Sequence, residues 1–336
     1  MKISLLVTYY NQEAFVRESM DSLIALEKPA EWEILIGDDG SSDGTVEKVQ
    51  AYVNLDPEHI RLYRMDRNPE KKYNPVERAS ANRLNLLRQA TGDCCLMMDG
   101  DDFYSETDFL PQAISILEAR SEVTVVGFDT WMYRDGSPER RKRGRSGKTV
   151  SVSRRKYLRW QYTHAGACLF RRDPTGKDLE EPTRLQCFDD NGIVMNALAR
   201  GKMIRIHRPV YAYRQTGNSV YTGMRPEERA SLNLMGLGAG LRFMGPDWEK
   251  DVIARFATAI WMTWFLRGSM REKLDPEKYR HYLESCRRAG FRPGELLMRY
   301  PELKAEERRE IHAYVRRAGW LSPLRVLYAW IATRRC

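Results

Sequence analysis

The stretch CCLMMDGDD, residues 94–102, decides how this chain is interpreted. Its first five residues are all apolar, and an apolar run of this length is typical of a strand that is buried on both faces. The run ends in Asp99, Asp101 and Asp102 around a single glycine. Carboxylates this close in sequence repel one another, so the chain must either hold them apart in a turn or neutralise them.

Alternating strands and helices surround this stretch. Short apolar runs are followed by segments with helically spaced apolar residues, which predicts an α/β fold with a mostly parallel sheet covered on both faces. The predicted elements are strands at Ile3–Val7, Trp32–Ile36, His59–Tyr63, Cys94–Met98, Val123–Phe128 and Ala165–Phe170, helices at 12–26, 45–53, 78–90, 107–119 and 189–199, antiparallel pieces at 129–133 and 149–152, and a closing strand pair at 203–206 and 210–213.

Polar residues follow several of these strands. Thr8, Tyr10 and Asn11 follow the first strand, the run 38–45 (DDGSSDGT) follows the second, and residues 99–102 follow the fourth. Ligands of parallel α/β sheets bind beyond the carboxyl ends of the strands. We therefore expect this chemistry to gather at one edge of the sheet.

The acidic residues have two readings. A turn whose last aspartate caps the next helix explains residues 99–102 taken alone. Further acidic pairs, Asp38-Asp39 and Asp189-Asp190, make convergence the better interpretation. Converging carboxylates need a cation, and hard oxygen ligands suit Mg²⁺ or Mn²⁺, which also bind a substrate diphosphate.

Composition narrows the class of protein. The 336 residues are 42% hydrophobic, enough for a core in one or two domains. A net charge of +9 favours anionic partners. Six cysteines without zinc-site spacing predict reduced thiols in the cytoplasm. Apolar runs all fall short of the roughly 20 residues of a membrane-spanning helix.

The chain changes character near residue 222. From about Arg225 the pattern is almost wholly helical, which predicts an α/β domain at 1–222 and an α-helical domain at 223–336. The last helix, 324–335, combines an apolar stripe with a cationic end, so it fits either an anionic membrane surface or packing against the first domain. The basic loop 137–148 lacks an accompanying nucleic-acid-binding motif, and we expect no nucleic acid partner.

Five motifs in order resemble those of the family 2 glycosyltransferases of GT-A fold, over roughly residues 1–222. They are SLLVTYYN (4–11), EILIGDDGSSDGT (33–45), GDCCLMMDGDD (92–102), FDDNGIVMNAL (188–198) and YAYRQTGNSV (211–220). The resemblance implies a GT-A, Rossmann-like sheet and an inverting, metal-dependent enzyme that uses a nucleotide-sugar donor, UDP-linked in our expectation. A glycan or lipid-linked acceptor at the inner face of the cell membrane would follow from a role in surface polysaccharide synthesis.

The same resemblance implies roles at the donor site. It assigns the nucleobase to Thr8, Tyr10 and Asp39 or Asp38, the ribose to Asp99, and Mn²⁺ or Mg²⁺ to Asp101 with Asp102 and Asp99. The diphosphate falls to Arg214, Arg83 and Arg78, although Leu84 stands where the family usually has asparagine.

The base that takes the proton from the acceptor hydroxyl is implied to be Asp190. The family pattern there is Glu-Asp and this chain has Asp189-Asp190, so either carboxylate could face inward, and either could cap the helix that follows. His164 and His207 are expected to be structural residues and not metal ligands.

Two other functions stay open at this point. A nucleotidyltransferase shares a nucleotide-binding α/β sheet with an acidic metal site, but it needs a glycine- and lysine-rich N-terminal loop, and VTYYNQEAF is not one. A degenerate binding subunit is favoured slightly by Leu84 and opposed by the intact Asp99, Asp101 and Asp190.

Overall fold

The computed structural model describes residues 1–68, 70–134, 137–139, 147–160, 163–216, 223–266 and 269–317. The strands are β1 Ile3–Tyr9, β2 Trp32–Asp38, β3 Ile60–Arg64, β4 Cys94–Asp99, β5 Phe103–Tyr104, β6 Val123–Arg134, β7 Ser137–Glu139, β8 Thr149–Val152, β9 Cys168–Arg171 and β10 Lys202–Arg214. The helices are α1 Val16–Ile24, α2 Thr45–Leu55, α3 Pro75–Gln89, α4 Leu110–Ala119, α5 Arg154–Trp160, α6 Glu180–Leu185, α7 Asp190–Arg200, α8 Pro226–Met244, α9 Glu249–Arg255, α10 Ala257–Leu266, α11 Ser269–Lys273, α12 Pro276–Arg288, α13 Arg292–Met298 and α14 Ala305–Arg317.

The first four strands form the parallel sheet that the sequence predicts. Strand β1 lies between β2 and β4, and β3 pairs with β2 on the outside. The central strands β1 and β4 are buried almost along their whole length. In the register, Thr8 lies opposite Asp99 and Tyr9 lies opposite Asp38. The polar ends of three strands therefore meet at one edge of the sheet.

Beyond β4 the sheet becomes mixed. The strand order is β3-β2-β1-β4-β9-β6-β10-β5, in which β9 runs antiparallel to β4 and β6, and β6 runs parallel to β10. Strand β8 is antiparallel to β10, as its alternating pattern predicts. The other predicted antiparallel piece, 129–133, is instead the end of β6, which is parallel to β10 and pairs antiparallel only with the short β7. The chain is thus α/β with a parallel half and a mixed half.

Three further predicted elements differ from the structure. The predicted closing strand pair is one 13-residue strand, β10, which absorbs its central Pro209 at shifts of register against β6. The predicted strand at 165–170 begins with a 3₁₀ turn at Ala165–Ala167, and only Cys168–Arg171 is extended. Helix α1 begins at Val16, because Gln12–Phe15 form a turn closed by the Phe15 N–H donating to the Gln12 carbonyl at 2.9 Å.

Helix α3 shows why its sequence starts a helix where it does. The Asn74 side chain accepts hydrogen bonds from the N–H groups of Val76 and Glu77 at 2.9 and 3.2 Å, and Pro75 occupies the first helical position. Leu84 is 3% exposed and packs in the core. Its side chain therefore fills space under the sheet and offers no amide to a ligand.

The helices after Pro226 pack on one face of the sheet. Their buried residues belong to the same hydrophobic cluster as those of α3, α7 and strand β4, represented by Leu84, Met195 and Met97. An ion pair between Arg288 and Glu77 of α3 reinforces this packing, and His281 also lies 3.3 Å from Glu77. The division at residue 222 stays a prediction.

Some predicted features lie outside the described residues. They include most of the basic loop 137–148, the loop at 217–222 and the terminal segment 318–336, on which the predicted membrane contact and cytoplasmic inner-face location depend. Among the residues that are described, the helices are all too short or too polar to span a bilayer.

Candidate active site

The site is built where β1 and β4 end side by side. The Thr8 hydroxyl donates to Asp99 Oδ1 at 3.4 Å, and the Gly100 N–H donates to the Thr8 carbonyl at 2.9 Å. A Cβ atom on Gly100 would lie 2.1 Å from the ring of Tyr9 and 2.8 Å from the Thr8 carbonyl. The glycine in the 99–102 motif therefore lets the turn lie directly on β1.

The three aspartates of this motif have different surroundings. Asp99 Oδ1 accepts from Arg83 at 2.8 Å. Asp102 is 1% exposed, and its two oxygens accept from the Tyr211 hydroxyl at 2.5 Å and from the Arg214 N–H at 2.7 Å. Asp101 contributes its backbone carbonyl to the Arg214 guanidinium at 2.7 Å.

Crowding changes the protonation of these carboxyls. Burial and the nearby Asp99 charge raise the pKa of Asp101 to about 6. Burial and the Asp101 charge raise the pKa of Asp102 well above its usual range. The Asp99 and Asp190 carboxylates outweigh burial at Arg83 and raise the pKa of that guanidinium, which stays charged. The raised pKa values of Asp101 and Asp102 show that ionised carboxylates at this turn are costly when no cation is bound.

Asp38 and Asp39, at the end of β2, make different contacts. Asp38 is 1% exposed, and its Oδ2 accepts from the N–H groups of Gly40 and Ser41, both at 3.0 Å, so it holds the following loop. Asp39 is ion-paired with both Arg67 and Arg78. Asp38 also lies 3.7 Å from Arg64 Nε, whereas Asp39 is the carboxylate that pairs with the arginine beside Tyr10.

Aromatic rings flank these arginines. The Arg67 guanidinium lies 3.9 Å from the ring centre of Tyr10, and Tyr73 lies within cation–π distance of Arg67 and Arg78. Tyr10 is 44% exposed. The exposed part of the Tyr10 ring is therefore available to a planar ligand. Arg78 and Asp39 lie near it, at the end of β2.

The aspartate pair before α7 is resolved by geometry. Asp189 has extended backbone angles, and its Oδ1 accepts from the Gly192 N–H at 2.8 Å, so it is the N-cap of α7. Asp190 lies in the first turn, and its Oδ2 is 3.0 Å from His164 Nε2. Asp190 is accordingly the carboxylate of the pair that meets the other site residues.

His164 is one of two site residues, with Arg67, that the sequence prediction missed. It was expected to be purely structural, yet it faces Asp190 and is 3% exposed. Burial favours the uncharged ring, but the Asp190 carboxylate outweighs it and raises the pKa of His164 to about 9. His207, in contrast, pairs with Asp129 elsewhere in the sheet.

Arg214 bridges the acidic turn and α1. Besides Asp101 and Asp102 it contacts Glu18 Oε2 at 2.5 Å, and its guanidinium lies about 5 Å from the rings of Phe15, Phe103 and Tyr133. This arginine is 16% exposed in its side chain. Arg214 is therefore held at the 99–102 turn, next to the aspartates that the family resemblance assigns to the metal.

The residues suit a divalent cation. Within the described chain, Asp99, Asp102 and His164 each offer a ligand atom within 4.8 Å of the others. The Asp99 charge contributes to the raised pKa of Asp101, so the Asp101 carboxylate lies close to this group. Crowded carboxylate oxygens are ligands that Mg²⁺ and Mn²⁺ prefer. The set differs from the sequence prediction by including His164 and leaving Asp101 beside it.

The predicted site residues therefore form two groups. Asp99, Asp101, Asp102, Arg83, Arg214 and Asp190 surround the 99–102 turn, whereas Tyr10, Asp39 and Arg78 stand at the end of β2. Thr8 belongs to the first group through Asp99. Asp38 and Asp189 hold a loop and a helix end. Arg67 was missed, because an arginine in a loop carries no sequence signal of its own.

Known proteins share both this sequence pattern and this fold. The family model "Glycosyl transferase family 2" matches residues 4–178. The chain is 30% identical over 126 residues to EpsE of Bacillus subtilis, named a glycosyltransferase, covering 38% of this chain and 42% of EpsE. It is 28% identical over 148 residues to the poly(ribitol-phosphate) beta-N-acetylglucosaminyltransferase TarS of Staphylococcus aureus, covering 41% of this chain and 24% of TarS.

Solved structures show the same fold. TarS 1–349 in complex with UDP-GlcNAc has a TM-score of 0.58 at 18% identity and covers 94% of this chain and 90% of that one. The mannosyltransferase PcManGT from Pyrobaculum calidifontis, in complex with GDP-Man and Mn²⁺, has a TM-score of 0.52 at 16% identity, with 97% and 87% covered.

This chain spans less than half the length of the curated relatives EpsE and TarS. The family model nevertheless matches just over half of its own 336 residues, and the fold is the mixed α/β GT-A type with a helical C-terminal region. The chain belongs to glycosyltransferase family 2.

Proposed function

We propose that the chain is a hexosyltransferase that moves a sugar from a nucleotide diphosphate donor, UDP-linked, to a hydroxyl group of a glycan or lipid-linked acceptor. The observation that carries the proposal is that Asp190 of α7 and the carboxylates at the end of β4 act on the same two side chains, His164 and Arg83. Single-displacement sugar transfer requires a carboxylate that can take the proton of the attacking hydroxyl. It also requires acidic side chains nearby that can bind a cation.

The donor would lie across the strand ends. In our proposal the base lies against Tyr10 and donates an N–H to Asp39. Arg67 and Arg78 then have to share the Asp39 carboxylate with the base. The ribose lies near Asp99 and the diphosphate near Arg214 and the cation. TarS was solved with UDP and UDP-GlcNAc, which supports uridine as the base, whereas PcManGT was solved with GDP-Man.

The residues held near the turn would bind the cation. Asp101, Asp99 and Asp102 are the proposed ligands of Mn²⁺ or Mg²⁺, which when bound neutralises the diphosphate as the glycosidic bond breaks. Arg83 and Arg214 add fixed positive charge at the same place. Asp190 accepts the proton of the acceptor hydroxyl while the oxygen of that hydroxyl attacks the anomeric carbon. This single displacement inverts the configuration at the anomeric carbon.

The biological role we propose is the synthesis of a surface polysaccharide in the cytoplasm, in keeping with the poly(ribitol-phosphate) that the name of TarS gives as its acceptor. The test is release of nucleoside diphosphate from a panel of UDP- and GDP-sugars in Mn²⁺, with a thermal-shift screen of the same compounds. Stabilisation and turnover with a UDP-sugar support the proposal. Indifference of the protein to all the donors would favour a binding subunit without catalysis.

A further inference from the structure

Neighbouring rings and the nearby backbone hold the buried His164 side chain in place. Its ring stacks on Tyr211 with centroids 5.0 Å apart and an interplanar angle of 24°, and it lies 4.8 Å from the ring of Tyr213. Gly166 lies directly against Tyr211, since a Cβ atom at this position would be 2.2 Å from the tyrosine ring. The imidazole therefore has little freedom to rotate.

Both ring nitrogens of His164 have partners. The Gly166 N–H donates to Nδ1 at 3.1 Å, and Nε2 lies 3.0 Å from Asp190 Oδ2. Nε2 carries a proton that points at the carboxylate both in the charged ring, which the raised pKa of His164 favours, and in the neutral ring. In the neutral ring the Gly166 N–H fixes the tautomer, because a nitrogen that accepts a hydrogen bond carries no proton. This tautomer satisfies both contacts at once.

The two contacts also bear on metal binding. A histidine ligates a metal through a nitrogen lone pair. In His164 the Nδ1 lone pair faces the Gly166 N–H, and the Nε2 position holds the proton given to Asp190. The ring can join Asp99 and Asp102 at a cation only by losing one of these contacts.

We propose that His164 is a positioning residue that orients the Asp190 carboxylate toward the acceptor hydroxyl, and that it does not ligate the metal. The inference rests on the proposed function of Asp190. Its physical basis is that Asp190 stands in the first turn of α7 with 23% of its side chain exposed, so the helix alone does not fix its rotamer. Misplacing a reacting group by about 1 Å costs roughly 10²-fold in rate.

The test compares two substitutions at this position. His164→Phe keeps an aromatic ring against Tyr211 but removes the donor to Asp190, whereas His164→Gln keeps an N–H donor at a similar reach. The matched control is His207→Phe, which breaks a histidine–aspartate contact of 3.3 Å with Asp129 outside the site. UDP binding by each variant identifies folded protein.

We expect His164→Phe to lower kcat by about 10²-fold, with the KM for the donor and the metal concentration for half-maximal rate changed less than about threefold. His164→Gln recovers most of the loss, and His207→Phe turns over like the wild type. A kcat of His164→Phe within about threefold of wild type would overturn the inference. So would a rise of tenfold or more in the metal requirement, since that result would make His164 a ligand.

A stability measurement separates this inference from the proposed function. Urea denaturation of His164→Phe, Asp190→Asn and the double variant reports the contact whether or not sugar is transferred. Non-additive losses support the contact, and additive losses overturn it. A wild-type chain that releases nucleoside diphosphate from none of the donors would refute the proposed function, while the stability cycle still decides whether His164 holds Asp190.

Discussion

Replacing Asp101 with asparagine removes one negative charge from the crowded turn at the ends of β1 and β4. Burial and the Asp99 carboxylate raise the pKa of Asp101 from 3.8 to about 6. At about 1.4 kcal/mol per pKa unit, the ionised carboxylate costs the metal-free folded state about 3 kcal/mol. Because Asp101 lies mostly out of solvent, screening reduces this cost little.

The sign of the pH dependence follows from the raised pKa. Between pH 4 and 6 the folded state binds more protons at Asp101 than the unfolded state, so this carboxyl's contribution to stability is greatest below about pH 4 and is lost as the pH rises through 6. Asp101→Asn has no carboxyl group at this position, so its stability does not fall for this reason as the pH rises. The stability advantage of the variant over the wild type should therefore widen by about 2 kcal/mol between pH 4.5 and pH 8.

The assay is urea denaturation, followed by tryptophan fluorescence, in EDTA at pH 4.5 and pH 8. Addition of Mn²⁺ at pH 8 should stabilise the wild type and leave Asp101→Asn nearly unchanged, because the cation is attracted by the ionised carboxylates. The matched control is Asp247→Asn, an exposed aspartate of the helical region. An advantage of Asp101→Asn that is the same at both pH values would refute the reasoning, as would equal stabilisation of both proteins by Mn²⁺.

Three further substitutions test other parts of the site. Asp190→Asn should lower kcat by about 10²- to 10⁴-fold and spare UDP binding measured by calorimetry, whereas Asp189→Asn, which keeps a good N-cap, should keep most activity; equal losses would contradict the assignment. Gly100→Ala should lower the free energy of unfolding by about 1–3 kcal/mol in urea denaturation, since its methyl group would overlap the ring of Tyr9. Tyr10→Ala should weaken UDP binding by about tenfold through loss of base stacking, and an unchanged dissociation constant would place the base elsewhere.

The parallel half of the fold could be predicted because its pattern is local. Apolar runs such as Ile3–Val7 and Cys94–Met98 are buried on both faces, so they need no partner information to be recognised. The same pattern places Thr8, Asp38 and Asp99 at strand ends, and the register of β1 then brings them together.

The mixed half could not be predicted in the same way. Whether β9 runs parallel or antiparallel to β4 depends on the path of the chain after Ala167, and the apolar pattern is the same in both cases. Strand β10 looks like two strands because Pro209 interrupts its hydrogen bonds, but a shift of register against β6 keeps it continuous.

The acidic members of the site could be predicted, whereas their partners could not. Asp189 and Asp190 are equivalent in sequence, and only the extended backbone of Asp189 makes it the helix cap. His164 and Arg67 reach Asp190 and Asp39 from distant loops. Neither belongs to a motif with regular spacing, so a single sequence gives no means of finding them.

The most direct test of the account is the affinity of the wild-type chain for UDP, measured by titration calorimetry in Mn²⁺ and in EDTA at pH 8. The strand-end carboxylates and a bound cation together should form the diphosphate site, so Mn²⁺ should tighten UDP binding by at least about tenfold, which is about 1.4 kcal/mol. Equal dissociation constants with and without the metal, or failure of UDP to bind at all, would contradict it.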